Sequence, residues 1–453
     1  MAIARMDELL KNPYSIAYRD TMQLMELESL EYFRRQAAQI KALQVQSAKR
    51  DVPEIPQSLQ DLVPALFTHS SYKSYPERWL RDGAWTKLNG WLSRLSAIQP
   101  RGDLSTVQTL DGWLDALKTD HLCVTHSSGT TGKPSLFPRT AYEVEQFGKN
   151  IERGMTEFYP IRGGEGLPVF VGSFEDGYNV FVLGFGAMAR SFGHPEHTYY
   201  LFPGKLGAEQ ARQGAIMKYK YARGELDPAQ AKQFEAQAKQ QQEMMQQVFS
   251  NYVETMAKYR GQKVFMGMGP AQAFAVAAIG LQKGYDTLFS EDSVMLTGGG
   301  LKGAQIPPDH LKRIYEFTGI RADHHADVYG MTECNSIATA CPEYQNKHIQ
   351  PWLQPMVLNR DATELLNSDG KVTGRWAFID PIATNYWGGI VTGDLATVDF
   401  SGCDCGRHGP VLVGEIKRYT DLQGVDEDKL SCMAQLNDYL MSDVGGSPSE
   451  LEF

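Results

Sequence analysis

No stretch of this chain stays apolar for long enough to cross a bilayer. The longest apolar runs, such as 271–281, fall well short of the about 20 residues that a spanning helix needs. The N-terminus carries Arg5, Asp7, Glu8 and Lys11 without a long apolar core, so a secretory signal peptide is not expected and the cytoplasm is the expected compartment. A basic excess is missing too. Against 44 Lys and Arg stand 54 Asp and Glu, a net charge of −10, where a nucleic-acid partner usually brings a basic stripe. There is no repeat of fixed period and no long low-complexity linker. Cysteine is scarce: the six are Cys123, Cys334, Cys341, Cys403, Cys405 and Cys432. In a reducing compartment such residues are reduced, metal-bound or catalytic sooner than disulfide-paired.

What is present reads as a globular enzyme larger than one ordinary domain: 453 residues, 42% hydrophobic and 22% charged. Residues 20–50 space their apolar positions as a helix, and 57–120 read as helical and rich in tryptophan. Beyond 120, short β-rich segments alternate with helical ones. Strands are expected at 167–171, 180–183, 263–266 and 293–297, with helices at 209–260, 270–283 and 308–318. That alternation predicts an α/β architecture with mainly parallel sheets. The stretch 208–258, rich in Gln, Ala, Lys and Glu, reads as a solvent-facing helical hairpin, with Met244 and Met245 on its core side. The expected layout is a large domain over 1–410, helical over 1–120, and a short C-terminal segment over 411–453 whose last ten residues fray.

Chemistry concentrates in four places. Ser127-Ser128-Gly129-Thr130-Thr131-Gly132-Lys133-Pro134 follows the apolar-leaning run Leu122-Cys123-Val124-Thr125. Its glycines let backbone N–H groups close around a polyanion, its hydroxyls add donors, and Lys133 adds a mobile charge. It is not a Walker A loop, which needs four residues before its Gly-Lys and a Ser or Thr after it. A solvated loop is the plainer reading of such a composition. At Met295-Leu296-Thr297-Gly298-Gly299-Gly300-Leu301-Lys302 a strand runs into three glycines, either a bare platform for a flat ligand or a flexible turn. In Val328-Tyr329-Gly330-Met331-Thr332-Glu333 the Thr332 hydroxyl can bind a phosphate oxygen and the Glu333 carboxylate can hold Mg²⁺; a capped strand end is the alternative. Asp394, in Thr392-Gly393-Asp394, is a good acceptor for paired ribose hydroxyls or simply part of an Asx turn. Separately, Cys341, His348, Cys403 and Cys405 are suitable soft ligands for a closed tetrahedral Zn²⁺ site, although unpaired buried cysteines are common.

The four motifs, in this order, resemble those of the adenylate-forming superfamily of acyl- and aryl-CoA synthetases. The resemblance implies ATP with its β- and γ-phosphates in the loop Ser127–Lys133, and adenine and the acyl group against Gly298, Gly299 and Gly300. It further implies Tyr329 and Gly330 beside them, Thr332 on the α-phosphate, Glu333 on Mg²⁺, Asp394 on the ribose, and Arg418 as the later ribose- or phosphate-binding arginine. Lys133, Thr332 and Glu333 would then be catalytic. In many relatives an arginine precedes the Thr-Gly-Asp motif; here Tyr386-Trp387-Gly388-Gly389 stands instead. Cys341-Pro342-Glu343, His348-Ile349 and Cys403-Asp404-Cys405-Gly406-Arg407 resemble the phenylacetate-CoA-ligase-like branch. Pro64-Ala65-Leu66-Phe67, the run from Thr297 to Gly303, and the stretch from Tyr419 to Cys432 are similar to the acyl-protein synthetase branch.

On that basis the chain is expected to end in a truncated segment in place of the family's mobile lysine domain. Cys432 is then the matching acyl-accepting thiol, although a free thiol titrates near about 8.5 and the adjoining acids would raise it. The expected function is ATP-dependent conversion of a carboxylic acid into an acyl-adenylate and pyrophosphate, then acyl transfer to a thiol. That thiol is Cys432 itself, CoA, a carrier protein, a partner enzyme or another nucleophile. The alternative is a nucleotide-binding or structural protein on a degenerate ligase fold. The aromatic and glycine-rich stretch 170–192 is the expected wall of the acid pocket.

Overall fold

The computed structural model describes Tyr14 and residues 18–68, 70–127, 133–300, 305–422, 436 and 439–440. Its strands, in chain order, are β1 (Phe67–Thr68), β2 (Leu122–His126), β3 (Leu136–Thr140), β4 (Leu167–Gly177), β5 (Gly193–Leu206), β6 (Phe265–Met268) and β7 (Val294–Gly298). They continue with β8 (His325–Gly330), β9 (Ile337–Ala340), β10 (Lys347–His348), β11 (Gln354–Leu358), β12 (Lys371–Ile379), β13 (Gly389–Asp399) and β14 (Val411–Arg418). Among the described residues, twelve of these form one sheet in the order β11-β12-β13-β14-β10-β9-β8-β7-β6-β4-β5, with β1 beside β13.

The sheet has two halves. Strands β5, β4, β6, β7 and β8 pair in parallel, which requires crossovers. The helices Val180–Phe192, Pro228–Ala257, Pro270–Gln282 and His310–Thr318 lie in them. From β8 onward the pairing turns antiparallel through β9, β10, β14, β13, β12 and β11. The α/β architecture read from the sequence is therefore present, its parallel half continued by an antiparallel one. Strand β14, beyond residue 410, belongs to this same sheet.

The segment expected as a strand at 180–183 is the first turn of the helix Val180–Phe192, opened by Asn179, whose side chain accepts from the Phe181 amide. A β-branched start looks strand-like, but the cap and the apolar face toward the sheet decide the matter. The hairpin is there as the helices Ala208–Ala222 and Pro228–Ala257, the second capped by Asp227 with Pro228 at its first position. Met244, however, is 60% exposed and belongs to the solvent side.

The N-terminal region packs onto the antiparallel half. Tyr32 stacks on Trp387 at 5.2 Å, donates to the Ala383 carbonyl and accepts from the Gly388 amide. Trp79, Trp91 and Trp113 are fully buried, with the Trp91 and Trp113 indole N–H groups donating to Ser74 and Asn89. β1 pairs in parallel with Ile390 and Val391 of β13. The short turn Ser71–Lys73 follows, and its Lys73 feels the charge of Glu333, just past the end of β8.

Candidate active site

β2 and β3 form an antiparallel hairpin whose tip is the Ser/Gly/Thr loop. Ser127 closes its mouth: its amide donates to the Ser135 carbonyl at 3.1 Å, and its hydroxyl accepts from the Ser135 amide at 2.9 Å. Ser128, Gly129, Thr130, Thr131 and Gly132 lie outside the described residues. Lys133 sits 5.6 Å over the ring of Tyr75, and Tyr75 donates to the Pro134 carbonyl. Burial, with Lys73 nearby, brings the Lys133 ammonium down to about 8. Lys73 is also lowered, chiefly by burial, while Glu333 opposes the shift and Arg418 adds to it. Lys73 thus stands in the field of Lys133, Glu333 and Arg418 at once.

β7 ends at Gly298 against β8, where a Cβ on Gly298 would come within 2.6 Å of Val328 Cγ2. Gly299 and Gly300 follow at φ of 81° and 61°, conformations costly for any side chain. The turn between β8 and β9 carries Thr332 and Glu333. Tyr329 donates to Asp394 Oδ2 at 2.6 Å, and Arg418 Nε lies 3.1 Å from Asp394 Oδ1. The motifs at 329–333, 392–394 and 418 therefore meet at one point. A carboxylate has about four lone-pair positions; Asp394 uses two here. Burial raises Glu333 above the ordinary carboxylate range, Asp394 adds to this, and Arg418 and Arg139 oppose it. A divalent cation on that carboxylate would hold it ionised.

Beside this point opens an apolar pocket. Helix Val180–Phe192 lines it with Val180, Phe181, Gly184, Phe185 and Met188; Phe147 and Ile151 face them from helix Ala141–Phe158. Gly298, Gly299, Gly330 and Met331 form the side next to Tyr329 and Thr332. The helical part of 170–192 lines this pocket, and among the described residues no charged side chain does.

Cys341 follows β9, His348 ends β10, and Cys403 and Cys405 lie on the connection from β13 to β14. Their ligand atoms all fall within 4.8 Å of one another. Cys341 Sγ is 3.8 Å from Cys403 Sγ, and Cys405 Sγ is 3.3 Å from His348 Nε2. Burial pushes the Cys341 thiol up to about 12, and the other two thiols add to it. Asn346 donates to Cys403 Sγ. Cys432 lies outside the described residues.

Several residues of this region carried no motif. Asp380 accepts from the Asn335 amide at 2.7 Å, Asn335 Nδ2 donates to the Tyr386 hydroxyl at 3.0 Å, and that hydroxyl donates to the Glu333 carbonyl at 3.2 Å. Glu143, fully buried at the start of helix Ala141–Phe158, completes a capping box with Thr140 and accepts from the amides of Thr384 and Asn385. Lys73 and Arg139 are the cations missed. A charge inside the otherwise uncharged strand Leu136–Thr140, and one between Tyr72 and Tyr75, were the available signals.

The fold is similar to that of acyl-adenylate-forming ligases. Residues 212–434 match the family described as acyl-protein synthetase, LuxE. Solved structures share the fold. An open conformation of 2-hydroxyisobutyryl-CoA ligase in complex with 2-HIB-AMP and CoA aligns with a TM-score of 0.51 and 16% identity, covering 88% of this chain and 76% of that one. The same ligase in its thioesterification state gives 0.55 and 13%, over 90% and 70%; the postadenylation state with R3-HIB-AMP gives 0.55 and 14%, over 91% and 71%. No curated protein sequence matches the chain. No helix among the described residues is long and apolar enough to cross a membrane.

Proposed function

We propose that the chain activates an acid with an uncharged, apolar body in the pocket beside Gly298 and Gly330, and passes the acyl group to a thiol. The observation that carries this reading is the convergence of Asp394, Tyr329, Arg418 and Glu333 beside a pocket whose described lining residues carry no charge. The acid's carboxylate oxygen bonds to the α-phosphorus of ATP as the bond to the β-phosphate oxygen breaks, releasing pyrophosphate. A thiolate then bonds to the acyl carbon as the carbon–oxygen bond to AMP breaks. Lys133 and the loop before it hold the leaving phosphates, Thr332 the α-phosphate and Asp394 the ribose. Glu333 would hold Mg²⁺, which supplies charge neutralisation to the phosphates. Positioning and electrostatics do most of the work in such a displacement.

The cysteine–histidine cluster supports a structural Zn²⁺ in the same reading. At Zn–S of about 2.3 Å, a tetrahedron sets neighbouring sulfurs about 3.7 Å apart, close to the Cys341–Cys403 spacing. Four protein donors close such a site and leave no open position, so its part is to hold the β9–β10 and β13–β14 connections together.

The acceptor decides between CoA, a carrier or partner thiol, and Cys432. Incubation with ATP and a panel of alkanoic and aryl acids should release pyrophosphate only with acids that lack a distal charge. Intact mass before and after hydroxylamine then assigns the acceptor: an adduct lost in Cys432→Ser marks self-acylation, and acyl-AMP without adduct marks an external thiol. No pyrophosphate release with any acid would overturn the reading in favour of a binding protein without turnover.

The Lys133 ammonium gives a pH signature. With its titration near 8, Lys133 is cationic below that pH and neutral above it. We expect kcat/KM for ATP to be flat below pH 8 and to fall by about tenfold per unit above it. Lys73 and Glu77 face Lys133, and Lys133→Arg, which cannot deprotonate, should remove the alkaline limb. An unchanged limb in Lys133→Arg would transfer the titration to another group.

A further inference from the structure

Arg139 is the fourth residue of β3 and only 1% exposed. Its Nε donates to Asn335 Oδ1 at 2.7 Å, and Nη2 donates to the carbonyls of Thr332 at 2.5 Å and Cys334 at 3.2 Å. Nη1 donates to the hydroxyl of Thr125 on β2. The guanidinium lies 5.6 Å from the Phe137 ring centre and 5.5 Å from that of Tyr386. All three of its nitrogens are committed, in one plane, to groups on two sides. One side is the hairpin that carries the phosphate loop; the other is the turn that carries Thr332 and Glu333.

A buried cation is expensive, and a well-packed apolar side chain often serves stability as well or better. The carboxylates of Glu143, Asp380 and Glu333 all feel this guanidinium, which offsets part of that cost. What an apolar residue or a lysine cannot reproduce is the planar fork that meets carbonyls, an amide oxygen and a hydroxyl at once.

We propose that Arg139 is a positioning residue for adenylation: it holds the turn 332–335 in register with the β2–β3 hairpin, so that Glu333 and Lys133 act on the same nucleotide. The inference rests on the adenylation reading given above. Arg139 meets the turn through its backbone and Asn335, so its effect travels through Thr332 and Glu333.

The test is acid-dependent pyrophosphate–ATP exchange at varied Mg²⁺ for the parent, Arg139→Lys, Glu333→Gln and the double variant. Arg139→Lys should lower kcat by about 100-fold and raise the Mg²⁺ concentration for half-maximal rate. KM for the acid, whose pocket is built from other elements, should stay unchanged. The double variant should lose little beyond Glu333→Gln, because residues acting through one turn are not additive. Equal losses at every Mg²⁺ concentration with an additive double variant would overturn the proposal. Should Arg139→Lys fail to fold, Thr125→Val removes one partner of the fork and keeps the guanidinium. It should shift the Mg²⁺ dependence in the same direction by a smaller factor, and an unmoved Mg²⁺ dependence there overturns the proposal equally. A parent without acid-dependent exchange would instead defeat the adenylation reading itself.

Discussion

Glu333→Gln should lower acyl-adenylate formation by about 1,000-fold while leaving the protein folded and its melting temperature unchanged or higher. The two halves of this expectation come from the same fact. Glu333 is desolvated, and its carboxyl is raised above its ordinary range; a group whose acid form is favoured by folding costs stability wherever it must ionise. Gln has the shape of that acid form and no proton to lose, so the fold does not suffer. Catalysis does, because a neutral amide is a poor oxygen ligand for Mg²⁺ and cannot offset the cation's charge. The measurement is pyrophosphate–ATP exchange at saturating Mg²⁺, beside a thermal melt. Exchange as fast as in the parent would remove Glu333 from the metal's coordination.

The paired change Cys403→Ser and Cys405→Ser should abolish binding of about one zinc per chain and lower stability by about 4 kcal/mol, the linkage expected when free metal exceeds Kd by a thousandfold. Serine is nearly isosteric, so loss of packing contributes little. The loss arises because no metal would then tie Cys341 and His348 to the β13–β14 connection, leaving the β10–β14 pairing and the bond from the Ile349 amide to the Pro410 carbonyl at 3.1 Å to join them. Elemental analysis of protein purified without chelator and the shift of the melting temperature on chelation check it together. Metal-free parent protein that is fully active, with titratable thiols at Cys341, Cys403 and Cys405, would exclude the metal.

Much of the site was legible because its chemistry is written in short, contiguous runs. Tyr329 lies at the end of β8, just before Thr332 and Glu333, and Asp394 lies in a recognisable Thr-Gly-Asp, so residue type and order were enough to single them out. The cluster of Cys341, His348, Cys403 and Cys405 was legible from ligand softness and the resemblance together, although only the register of β10 against β9 and β14 brings His348 to Cys405. Arg139 and Lys73 were not legible. Each owes its place to a partner more than a hundred residues away, Arg139 to the turn at 332–335 and Lys73 to Glu333, and no local periodicity reports such a partner. The strand expected at 180–183 failed for a related reason. Val180, Phe181 and Val182 favour a strand by propensity, but the Asn179 cap and the burial of one helical face override it. Similarly, periodicity could not say that the sheet turns antiparallel after β8, because pairing direction is set by the short turn at 331–336 rather than by the strands themselves.

The packing of the first hundred residues against the far end of the sheet bears on how the chain is made. Tyr72 donates to the Trp387 carbonyl 315 positions away, Tyr32 stacks on the same tryptophan, and Phe67 pairs with Ile390. A ribosome delivers the N-terminal end first, so this aromatic surface waits, without its cover, until most of the chain has emerged. Closing so long a loop is slow compared with forming the local helices. Fragments that stop before residue 387 should therefore leave that surface exposed and aggregate, which makes full-length synthesis a condition for a soluble N-terminal region.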